Sequence, residues 1–66
     1  MSVIDALLQT LKVIRDSRCA ISSQSIQRAT GFNIRKVQRH TKALTEQGII
    51  ERIGDTAKDG YLYRLI

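Results

Sequence analysis

The stretch SSQSIQRATGFNIRKVQRHTKALTEQGIIER, residues 22–52, decides how this chain folds. Ser22 offers its hydroxyl to the free amides of a helix expected over residues 23–30, with Ile26 and Ala29 as its core contacts. Gly31 supplies the permissive backbone for a sharp turn, and Phe32 plugs the corner between helices. Asn33 then caps a second helix, residues 33–47, whose apolar positions Ile34, Val37 and Leu44 fall on one side with Thr41 between them. At about 100° per residue, Arg35, Arg39 and Lys42 lie on the opposite side and Lys36 on its flank. Gly48 stands where a helix-ending left-handed residue is usual.

Upstream, Ser2 with Asp5 resembles a capping box, and Ile4, Leu7, Leu8, Leu11 and Ile14 recur at helical period, which predicts a first helix over residues 3–16. Val3 and Val13 lie off that stripe. Two readings stay open for them: a second face that makes a homodimer through helix 1, or exposed apolar residues that need no partner. Residues 18–21 are too few for a helix and suggest a short strand able to pair with a later hairpin. Downstream, residues 49–53 and 61–66 are rich in branched and aromatic side chains and flank a polar tip containing Gly54, Asp55, Asp59 and Gly60. They predict a hairpin in which Tyr61 and Tyr63 are packing residues. The expected class is therefore α+β: three helices followed by a two-stranded β-hairpin, with a short strand between helices 1 and 2.

Composition bounds the rest. The 66 residues leave room for one domain, residues 1–66, with a small core. Hydrophobic residues make up 42% and charged residues 26%, a balance that favours folding over disorder. The apolar runs are two or three residues long, so no membrane span or secretory leader is expected, and a cytoplasmic location follows by default. Cys19 is alone, which excludes an internal disulfide and a zinc site built on thiolate pairs; a small buried side chain is the expected role. One His, one Cys and scattered carboxylates offer no recognisable nucleophile, base and orienting group, so neither catalysis nor a cofactor is expected. His40 has no second ligand at metal spacing, and Asp55 and Asp59 lack the further oxygens of a calcium site.

Charge is where the sequence departs from an ordinary small domain. The chain carries eleven Lys and Arg against six Asp and Glu. Arg28, Arg35, Lys36, Arg39 and Lys42 occupy residues 28–42, which contain no acid, and the other six cations balance the six acids. The whole excess sits on one segment, as expected of a phosphate-binding surface. A merely solvated helix face more often mixes signs.

Taken in order, Ser25-Ile26, Thr30-Gly31-Phe32, Val37, Arg39-His40, Leu44, Gly48-Ile49-Ile50-Glu51-Arg52 and Tyr63-Arg64-Leu65 resemble the winged helix-turn-helix superfamily, particularly the DNA-binding domains of MarR-like and IclR-like bacterial regulators. The likeness spans about two thirds of the chain. Gln27 and Thr41 depart from it, standing where a small Ala and a core Leu are usual; Thr41 implies looser packing or a hydroxyl bonded back to the preceding turn. The resemblance implies that helix 33–47 enters the major groove of double-stranded DNA and that the 54–60 wing touches backbone or minor groove.

On that reading Arg35 and Arg39 contact base edges, with Lys36 and Gln38 as further candidates, because the guanidinium fork bonds both guanine acceptors at once. Ser22, Ser23, Arg28, Asn33, His40 and Lys42 fall to backbone or flanking contacts, and Lys58 reaches out from the wing. Arg52 and Arg64 are supports or partners of Glu51. The implied role is a compact transcription regulator of bacterial or phage type, without a pocket-sized cavity or small-molecule ligand. The alternative is a winged-helix protein–protein adaptor in a nucleic-acid-handling complex, and an RNA-binding mode would need a different surface.

Overall fold

A computed structural model describes residues 2–54 and 61–66. The described residues form three helices, α1 (Val3–Asp16), α2 (Ser23–Thr30) and α3 (Ile34–Glu46), and three short strands, β1 (Ile21–Ser22), β2 (Ile50–Ile53) and β3 (Leu62–Leu65). This is an α+β architecture with a single antiparallel sheet of order β1-β3-β2. The expected polar tip at residues 55–60, with Lys58, lies outside the described residues.

Local chemistry sets the helix ends. The Ser2, Ser22 and Asn33 side chains accept hydrogen bonds from the amides of Asp5, Ser25 and Lys36, so each helix opens on a side-chain cap. Gly31 ends α2 at φ 78°, and its amide donates to the Gln27 carbonyl at 2.8 Å. Gly48, at φ 72°, ends α3 with a paired closure: its amide donates to Thr45 O, and that of Ile49 donates to Leu44 O. That double bond pattern turns the chain directly into β2.

The core is Ile14 of α1, Ile26 of α2, Val37 and Leu44 of α3, Ile50 of β2 and Tyr63 of β3, one or two residues from each main element. Leu7, Leu11, Val13, Ile21, Phe32 and Tyr61 pack around it. Tyr61 and Tyr63 thus serve as packing residues. Antiparallel register places Ile50 opposite Leu65, Arg52 opposite Tyr63 and Ile21 opposite Tyr63, so these side chains share the face that looks toward the helices. Glu51 faces Arg64 on the other side, where the two form an exposed ion pair.

Several sequence expectations are corrected. Of the expected stripe of α1, Ile14 is buried and Leu7 and Leu11 pack half-buried against the core, but Ile4 and Leu8 are exposed, and Ala6 and Thr10 are buried in their place. The small residues Ala6 and Thr10 face inward because α3 delivers His40 to Thr10. Ala29 is exposed, leaving Ile26 as the buried residue of α2, and Ile34 is more than a third exposed at the free end of α3. Cys19 is exposed too, since the Ser17 hydroxyl donates to the Cys19 carbonyl and holds that segment as a surface turn. The short strand accordingly starts at Ile21 rather than residue 18. Among the described residues, no helix is long and apolar enough to cross a membrane.

Candidate functional site

α3 has two chemically opposite sides. Val37, His40, Thr41 and Leu44 are buried, while Arg35, Gln38, Arg39 and Lys42 are exposed. Thr41 is fully covered and its hydroxyl donates to the Gln38 carbonyl at 3.1 Å, so the polar residue at this core position is satisfied within its own helix. Among the described residues, no acidic side chain pairs with Arg28, Arg35, Lys36, Arg39 or Lys42; the ion pairs formed are Arg15 with Asp16 and Arg64 with Glu51.

The charge order along α3 also runs against the helix dipole. A helix N-terminus carries partial positive charge and is stabilised by acids, yet the first turn holds Arg35 and Lys36 and no acid. The last turn holds Glu46 and no base. Backbone and side chains therefore add to one concentrated positive potential at the start of α3. Arg28 differs, because it sits in the last turn of α2, where the dipole favours a cation.

Particular contacts aim these cations. The Lys36 ammonium lies 4.5 Å from the centroid of the Phe32 ring, which holds it at the α2–α3 corner. Arg52, on the helix-facing side of β2, lies 4.0 Å over the Tyr61 ring. Gln38, Lys42 and Glu46 of α3, Arg52 of β2, Tyr63 of β3 and Tyr61 just before it line an open groove of about 490 Å³ between helix and sheet. A hollow of pocket size was not expected from the sequence; this one is open to solvent, and its charged lining is two cations, Lys42 and Arg52, and one acid, Glu46.

The remaining sequence candidates divide. Asn33 is exposed and its Oδ1 accepts from the Lys36 amide at 2.8 Å, while its amide nitrogen has no partner among the described residues. Ser22 Oγ accepts from the Ser25 amide and donates to Ser25 Oγ, so that hydroxyl belongs to the cap. Ser23 is half-buried at the first position of α2. Arg64 is held by Glu51 on the outer face of the sheet. Lys58 lies outside the described residues.

His40 is the clear correction. It is 5% exposed, its Nδ1 lies 2.8 Å from Thr10 Oγ1, and its ring meets Phe32 edge-on at 5.7 Å, so it is an interior residue joining α1 to α3 rather than a surface contact. Burial, then the neighbouring charges of Lys36 and Arg39, hold its pKa below the ordinary value of 6.5. The neutral imidazole is the form that fits.

Arg52 is the residue that sequence reasoning undervalued. Its position in the groove follows from strand register, for which the sequence around residue 52 carries no local signal. Among the described residues, no three His, Cys, Asp or Glu side chains converge to hold a metal ion. In comparison with known proteins, no family model matches the chain, and no curated protein or solved structure matches it significantly.

Proposed function

We propose that this chain is a winged helix-turn-helix domain that binds double-stranded DNA sequence-specifically, as a small transcription regulator with α3 in the major groove. One observation carries the reading: Arg35, Arg39 and Lys42 stand on the outward side of α3 with Lys36 on its flank, all unpaired among the described residues, and Arg35 and Lys36 oppose their own helix dipole. Such an arrangement destabilises the isolated domain and is relieved by a polyanion. The major groove is the site that admits a helix and distinguishes all four base pairs.

Arg35 and Arg39 take base edges, each able to form a bidentate pair with guanine. Lys36, Lys42, Arg28 and the Asn33 amide take phosphates. Arg52 and Gln38 extend the contact along the groove between α3 and the sheet, and Ser23 with the first amides of α2 offers a further anion site. His40 has no part in contact. The reading assigns backbone or minor-groove contact to residues 54–60 with Lys58, of which 55–60 lie outside the described residues.

The test is a salt titration of binding to mixed-sequence duplex DNA. If Arg28, Lys36, Lys42 and Arg52 each neutralise one phosphate, the log–log slope is about −3.6. Lys42→Ala should reduce that slope by about one unit and weaken all sequences alike, whereas Arg39→Ala should relax preference at one base position by about 1–3 kcal/mol. Absence of measurable affinity at low salt would overturn the proposal and favour a protein–protein adaptor.

A further inference from the structure

We propose that the outer ridge of α1, formed by Ile4, Leu8 and Leu11, is the contact between two copies of this chain, paired antiparallel about a two-fold axis near Leu8. Ile4 is 69% and Leu8 50% exposed, while Leu11 is half-buried at the edge of the core. The three recur at four- and three-residue spacing, the seam pattern of paired helices, and are continuous with the packed interior through Leu11. The ridge lies on α1, whereas the cationic surface lies on α3, so occupying one leaves the other free.

Charge decides both the occupant and the orientation. Asp5, in the first turn of α1, and Lys12, two turns later, flank this ridge, and both are exposed. In an antiparallel pair Asp5 meets the partner's Lys12, and the two-fold axis repeats the attraction on the other side. In a parallel pair the two-fold axis runs along the seam and leaves Asp5 and Lys12 of the two copies on opposite sides of it, where they do not meet. A second copy in the antiparallel sense therefore covers the ridge and pairs Asp5 with Lys12, while Arg15, one turn beyond Leu11 at the end of the seam, keeps its ion pair with Asp16.

Area sets the strength. With 14 residues α1 is about 21 Å long, and a single helix-width strip falls well short of the ~800 Å² per partner of a standard interface. The dimer is therefore weak, and its population depends on concentration across the micromolar to millimolar range.

Sedimentation equilibrium of the full chain without DNA tests this, so the result stands whatever the DNA titration gives. The expected record is a monomer–dimer equilibrium whose dissociation constant rises about tenfold or more in Leu8→Glu, with helix content by circular dichroism unchanged because Leu8 is already half exposed. Asp5→Lys alone and Lys12→Glu alone should each weaken self-association several-fold. Mixing those two variants should restore it, because each then offers the other an opposite charge. A monomer up to millimolar concentration would overturn the proposal, as would self-association indifferent to Leu8→Glu. Full association of Asp5→Lys by itself would overturn the antiparallel pairing.

Discussion

At the scale of single residues, the informative feature is how polar groups are made acceptable inside a small core. Thr10 and Thr41 are fully buried, and each sits within hydrogen-bond reach of a carbonyl of its own helix: Ala6 O at 3.3 Å for Thr10 and Gln38 O at 3.1 Å for Thr41. Thr10 has a second neighbour in His40 Nδ1, which ties α1 to α3 through one polar contact. Because the folded state holds the His40 pKa below 6.5, the unfolded chain binds the proton more readily. Stability is therefore fully present above about pH 6.5 and declines as the pH falls from there toward the folded pKa. Urea midpoints measured between about pH 7.5 and 5.5 should show this decline. His40→Gln, which keeps an amide for Thr10, should flatten it; an unchanged slope in that variant would show that another group is responsible.

At the scale of the element, α3 is a helix whose charges oppose its own dipole. Arg35 and Lys36 occupy the turn where acids stabilise, and Glu46 occupies the turn where bases do. Each reversal costs about 0.3–1 kcal/mol. Arg35→Glu should therefore raise folding stability by an amount of that order while abolishing duplex binding, because it places a carboxylate at the proposed base-contact position. Denaturation and binding measured on the same preparation check both halves. Loss of stability in Arg35→Glu would mean that Arg35 supports the fold, and the dipole account would then fail. The contrast with α2 is useful: Arg28 lies where a cation stabilises the helix end, so Arg28→Ala should affect stability and binding together.

At the scale of the whole molecule, a packed cluster of six buried apolar residues supports the six elements of the described residues. A chain of this size buries a smaller fraction of its surface than larger domains do, so stability is modest and sensitive to anything that binds only the folded form. Duplex DNA at about a hundredfold excess over its dissociation constant should stabilise the fold by about 2.7 kcal/mol, enough to raise the melting midpoint by roughly 10–20 °C. Raising the salt toward 1 M should erase that increase, since the contact is chiefly ionic. A midpoint that ignores DNA at low salt would contradict the proposed function even if some binding were seen in other assays.

What this sequence determined unaided is what short-range chemistry controls. Ser2, Ser22 and Asn33 cap helices at the positions expected of them, and Gly31 and Gly48 close two of those helices in the left-handed region. The bounds of α1 and α2 follow from those residues because a cap reaches only three positions along the chain. The clustering of cations on α3 is likewise a property of spacing in one helix. Only the tertiary structure decided which side of α1 turns inward, that His40 is interior, and that Arg52 joins the groove beside Lys42. Each of these depends on groups from distant parts of the chain: Thr10 meets His40 across 30 residues, and the place of Arg52 depends on its register with Tyr63. Helical periodicity names the apolar residues of a segment, but the shape of the neighbouring element selects which of them are covered.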